Sequence, residues 1–312
     1  MGSTSFSTKN QTGITSPPQT LAVLALLASA ALWGISWYPF RLLAAEGVSG
    51  VWAIIATELA ATVLCLAFFW QQIFQKPKLD CTTLTLPASP FAMLALIGLL
   101  GGATNTGFIL ATLHGNVLRA TLLLYLAPLW TLFLARWFLA EPIRLGGVGV
   151  VLMALSGAVV MLGPSAINGE LGVGDGLGLM AGIAYAAYNV SVRRADHIPQ
   201  AQKTLAATIG SAATATIALA FYDVQDWPAS LPASVWALIL GTGALLVLVV
   251  SLMQFGLMRV TATRAIVILV SELLFAAVSA WWLAGEVPGL REFIGGTLII
   301  GASLIAAGVG RR

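Results

Sequence analysis

Residues Arg119–Glu141 read RATLLLYLAPLWTLFLARWFLAE, and residues Arg264–Glu286 read RAIVILVSELLFAAVSAWWLAGE. The second stretch overlays the first without a gap, at a constant offset of 145 (264 − 119, 286 − 141). Arg119/Arg264, Ala120/Ala265, Leu124/Leu269, Ala135/Ala280, Trp137/Trp282 and Glu141/Glu286 are identical pairs. A glycine pair follows each stretch, Gly146-Gly147 and Gly295-Gly296. Between its cation and its carboxylate, each stretch holds about the 20 largely apolar residues that a helix needs to cross a hydrocarbon core. Apolar helices resemble one another by chance, but chance does not keep an arginine and a glutamate in ungapped register. The pattern is an internal repeat. The leading helices of the two units align more weakly, with Trp33 opposite Tyr185 and Arg41 opposite Arg193 at an offset of 152 (185 − 33, 193 − 41).

Composition agrees. Of 312 residues, 59% are hydrophobic and 9% charged, against about 25% charged in a soluble domain. Mean hydropathy is +0.93. Too few polar side chains exist to cover a soluble exterior, so lipid is the solvent for most of the surface. On the bilayer ruler, spans fall near residues 21–44, 50–72, 91–113, 120–140, 145–163, 175–192, 204–222, 234–258, 265–284 and 293–309. The expected class is an all-α integral membrane protein, ten transmembrane helices arranged as two inverted five-helix repeats. Residues 1–19 read as a disordered tail, 20–165 as the first repeat and 170–312 as the second. Ala28-Ser29-Ala30 resembles a signal-peptidase site, but the apolar run continues through Leu43, too long for a signal peptide.

Orientation follows from the cations. With loops assigned alternately to two faces, one face receives only Arg41, Arg119 and Arg291 of the 15 Lys and Arg, and the face of the N-terminus receives the other 12 (15 − 3). The positive-inside rule then puts both termini in the cytoplasm. Five spans per unit is an odd number, so the second unit enters from the opposite side. Inverted units suit alternating access around a midplane site.

The blocks LYLAPLWTLFLARWFLAEPIRLGG and LVSELLFAAVSAWWLAGEVPGLREFIGG resemble the paired EamA units of the drug/metabolite transporter superfamily, over nearly all of residues 20–310. Within it the chain looks most like the YddG-type amino-acid exporters of the bacterial inner membrane. The resemblance implies ten helices, cytoplasmic termini and a cavity lined by helices 1, 3, 4, 6, 8 and 9. Many second units of this kind carry Glu-Pro where this chain has Glu272-Leu273, and Gly-Glu is common where the first unit has Ala140-Glu141.

Candidate site residues follow from burial and from those helices. Glu272 in span 9 and Glu58 in span 2 are carboxyls inside hydrocarbon, where a charge costs roughly 2.5–3.5 kcal/mol. Each either serves coupling or substrate binding or is a neutral helix-to-helix contact; span 2 is not expected to line the cavity. Trp33, Trp37 and Tyr38 on span 1, Asn105 on span 3, Tyr125 on span 4, Tyr185, Tyr188 and Asn189 on span 6 and Gln254 on span 8 are candidates for substrate binding. Trp33/Trp37 and Tyr185/Asn189 share faces at i, i+4. The competing roles are interfacial belts for the aromatics and helix glue for the amides. Arg119 and Arg264 open equivalent helices, as gates or as snorkelling cations. Glu141 and Glu286 close those helices against the dipole and read as loop-fixing partners of nearby cations. Gly98/Gly102 and Gly174/Gly178/Gly182 form small-residue strips suited to close packing, and Pro128 is placed to kink span 4.

The function expected is a secondary transporter exporting small metabolites, amino acids by the resemblance, with drugs or other metabolites as alternatives. No HExxH, GxSxG or Walker A motif points to an enzyme, and no selectivity-filter signature or ring of like charge points to a channel. Two cysteines, Cys65 and Cys81, and two histidines suggest neither a disulfide nor a metal site, and no cofactor is expected. The partners implied are a small-molecule substrate and the bilayer, not nucleic acid.

Overall fold

The computed structural model describes residues 19–48, 50–74, 89–114, 117–143, 145–163, 172–221, 227–285 and 289–308. All regular structure among them is helical. The first crossing is α1 (Gln19–Ile35) with α2 (Trp37–Ala45), the second α3 (Gly50–Ile73) and the third α4 (Pro90–His114). The fourth is α5 (Val117–Leu124) with α6 (Ala127–Phe138), and the fifth α7 (Leu145–Leu162). Then come α8 (Val173–Arg194), α9 (Gln200–Leu219), α10 (Ala233–Leu257), α11 (Ala262–Leu269) with α12 (Glu272–Ala284), and α13 (Leu290–Gly308). These are the expected ten passes, with ends shifted by about a turn at most. Residues 1–18 of the expected tail, Cys81 and Glu286 lie outside the described residues, and Gln19 opens α1.

Five of the passes are long and apolar enough to span a membrane on that criterion alone: Gln19–Ala45, Gly50–Ile73, Pro90–Thr112, Ala233–Leu257 and Ala262–Leu283. The others are shorter or more polar for a visible reason. In α9, Lys203, Thr204, Thr208 and Ser211 are all buried inside the protein, so their polarity never meets lipid.

Packing repeats the two-fold relation. α4 lies against α8 and α9, and α10, its counterpart, lies against α1 and α3. α8 packs on α5 and α6, and α1 on α11 and α12. The self-related pairs α3 with α9 and α7 with α13 also touch. The agreement reaches single residues. A Cβ on Gly98 would stand 2.6 Å from the Ala206 carbonyl oxygen, and one on Gly243 would stand 2.8 Å from the Ala61 nitrogen. Both pairs obey the offset of 145 (243 − 98, 206 − 61). The glycine strips are therefore packing surfaces: Gly98 and Gly102 meet α9, and Gly178 and Gly182 meet α5.

The interrupted helices follow the same offset. α5 and α11 begin at 117 and 262 and end at 124 and 269, and α6 and α12 resume at 127 and 272. In the first unit Pro128, at the start of α6, explains the break, since proline has no N–H to give the preceding turn. The second unit has no proline there. Instead the Ser271 hydroxyl donates to the Ile268 carbonyl at 2.6 Å, a side-chain competitor for the helical hydrogen bond. Ser36, whose hydroxyl donates to the Trp33 carbonyl at 2.7 Å, marks the α1–α2 break in the same way.

The two repeat-related interrupted crossings end on left-handed backbone, Ala140 at φ 54° and Gly285 at φ 73°. Glycine adopts this freely; alanine pays about 1 kcal/mol. We expect Ala140→Gly to stabilise the protein by about 1 kcal/mol, read as a higher midpoint of thermal unfolding in detergent. A lower midpoint would show that the alanine methyl makes a contact worth more than the strain.

Candidate functional site

The two breaks bring Tyr125 and Glu272 together. Tyr125, in the α5–α6 break, is 7% exposed. Its hydroxyl and the Glu272 carboxyl are side-chain hydrogen-bond neighbours. Glu272 opens α12, where the positive end of the helix dipole favours a carboxylate. Tyr185 on α8 lies within electrostatic reach of both Glu272 and Tyr125. Its hydroxyl is 4.0 Å from the Met253 sulfur of α10. One turn along α8, Asn189 is fully buried, and its amide is a side-chain hydrogen-bond neighbour of the Tyr185 hydroxyl, though in geometry looser than that of a well-formed hydrogen bond. A buried amide whose hydrogen-bonding capacity is only partly used is uncommon in native proteins and calls for a reason. Two orphan groups, Trp130 Nε1 and Thr131 Oγ1, lie in the first turns of α6, and Trp130 packs in the same core as Tyr125 and Tyr185.

A second polar chain runs from this centre through the bundle. The Gln254 amide donates to the Tyr188 hydroxyl at 3.0 Å and accepts from Thr204 at 3.1 Å. Tyr188 stands within electrostatic reach of Glu58. Asn105 donates its amide to Glu58 at 3.4 Å and to the Ser211 hydroxyl at 3.0 Å. Asn105 and Tyr188 thus connect the Glu58 carboxyl of span 2 to α4 and α8. Beside this chain, Thr62 donates to Thr208 at 3.0 Å and Thr106 pairs with Thr214 at 2.9 Å. In hydrocarbon such pairs are helix glue.

Three of the remaining candidates gather elsewhere. Trp33 packs on Ala61, Cys65, Leu246 and Val247. The Trp37 indole donates to Ser279 at 2.9 Å, and its ring meets Tyr38 edge-on at 5.6 Å. Trp33 and Trp37 fasten the first crossing to α3, α10 and α12. Arg264 lies in the first turn of α11. Arg119 lies in α5, with its side chain outside what is described. Trp130, Thr131, Thr204 and Ser211 escaped the sequence reading because a tryptophan or hydroxyl in an apolar helix carries no local sign of facing protein.

A family model matches twice, over residues 20–163 and 172–308, and it is that of the EamA-like transporter family. The chain belongs to the EamA-like transporter family. Members of this family are membrane transporters of small molecules, not enzymes. A solved crystal structure aligns over 93% of this EamA-like chain and 99% of its own, with a TM-score of 0.72 at 19% identity, a likeness of fold. No curated protein matches.

Proposed function

We propose that this EamA-like transporter exports amino acids, neutral or aromatic, across the bacterial inner membrane by alternating access, in the manner of the YddG-type exporters. The observation that carries the reading is the grouping of Glu272, Tyr125, Tyr185 and the buried amide of Asn189 beside two helix breaks. A carboxyl held by a tyrosine hydroxyl is a partner for an ammonium group. A buried amide with hydrogen-bonding capacity to spare beside Tyr185 suits a carboxylate. Tyrosine and Trp130 faces suit a flat apolar side chain. Half-helix ends aimed at a midplane site are a recurrent device of secondary transporters. Both termini are cytoplasmic on the cation asymmetry of 12 to 3 (15 − 3 = 12).

The test is flux through purified protein in proteoliposomes, over a labelled amino-acid panel, with and without a pH gradient. Saturable counterflow of some members is the expected result. Protein that is folded yet moves no amino acid above empty liposomes would discard the amino-acid assignment while leaving the family membership intact. Non-saturating flux would point to a pore.

A further inference from the structure

At the face that carries the end of α8, four segments converge on one guanidinium. Arg193 Nε donates to Glu141 Oε1 at 2.8 Å. Its Nη1 donates to the carbonyl of Leu257 at 3.1 Å, and also to that of Val260. The same Glu141 oxygen accepts the backbone N–H of Ala262, the first residue of α11, at 3.2 Å. Glu141 belongs to the first unit; Arg193, Leu257, Val260 and Ala262 belong to the second. The Ala140 turn aims Glu141 across, and its own N–H returns to the Ala135 carbonyl at 3.2 Å. A carboxylate that opposes the dipole at the end of α6 thereby sits favourably at the start of α11.

Nearby, fully buried Lys203 donates to the Val192 and Ala195 carbonyls at 3.3 and 2.8 Å. That contact lies within the second unit and holds α8 to α9. The Arg193–Glu141 pair differs, because it bridges the units. It is also only partly sheltered, with side chains 24% and 15% exposed, so water can take over its hydrogen bonds when it parts.

We infer that Arg193 and Glu141 are a gating pair: joined, they close this face by tying the ends of α6, α8, α10 and α11 together, and transport requires them to separate. They act on access to the Glu272 site, not on the substrate itself, so they are positioning residues. The inference rests on family membership and geometry, not on the identity of the substrate.

The experiment is face-specific labelling of a cysteine placed at Met253, beside Tyr185, in a background carrying Cys65→Ala and Cys81→Ser. A membrane-impermeant maleimide is applied to inside-out and right-side-out vesicles. Glu141→Gln and Arg193→Gln are expected to raise labelling from the Arg193 face by about fivefold, a modest shift between two states, and to lower labelling from the other face. That opposite movement is what loosening alone does not produce. Unchanged labelling from the Arg193 face, or an equal rise from both faces, overturns the proposal. Glu141→Gln keeps the shape and can still accept both hydrogen bonds, so it decides the matter if Arg193→Gln does not fold. No substrate is needed, and the result stands apart from the flux panel.

Discussion

Glu272→Gln is expected to lower saturating flux by about tenfold or more, with helicity and monodispersity unchanged. Glutamine fits the same space at the start of α12 and keeps a hydrogen bond to Tyr125. It removes only the capacity to carry charge or a proton. Hydrogen bonds to a charged group contribute roughly 1.5–3 kcal/mol, and 1.4 kcal/mol is about a factor of ten. Tyr125→Phe, which removes one partner of the carboxyl and leaves the acid, should cost less. Glu272 is chosen over Glu58 because it lies beside the breaks, whereas Glu58 is 5% exposed and already held by Asn105. Flux of Glu272→Gln equal to the parent, measured in the same liposomes, would remove the carboxyl from both binding and coupling.

Gly98→Leu should cost about 3 kcal/mol or more in stability, the upper range for overpacking, and most of the protein should elute as aggregate on size exclusion. The clash is with a main-chain oxygen, that of Ala206, 2.6 Å from the new Cβ. The Cβ position is fixed by the backbone, so no rotamer relieves it; α4 and α9 must move apart. Gly146→Leu is the control, since a Cβ there meets nothing within 4 Å. If Gly98→Leu elutes like that control, the close approach of α4 and α9 is not needed for stability.

The repeat and the ten crossings were legible because the bilayer imposes a length and a polarity on every segment, and because Arg119, Glu141 and their partners keep register. The breaks were half legible. Pro128 announces one, but Ser271 does its work through a hydrogen bond that serine makes in many unbroken helices. The site was legible as residue types. Tyr125, Tyr185, Asn189 and Glu272 converge, while Trp33 and Trp37, equally aromatic, fasten the first crossing to its neighbours. Helical spacing says which residues share a face; it does not say which neighbour that face meets. The position of Glu141 points to a nearby cation as its partner, but the particular partner, Arg193, lies 52 residues further on and is set by packing alone.

The coincidence of the two breaks has an evolutionary meaning. Residues 117–138 and 262–284 are copies of one interrupted segment, each keeping its hinge at the same place by different chemistry. Where one copy resumes with Ala127, the other resumes with Glu272. Two copies of one segment, equal in backbone, thus differ at the equivalent residue, and a nearly symmetric scaffold holds its acid on one side only.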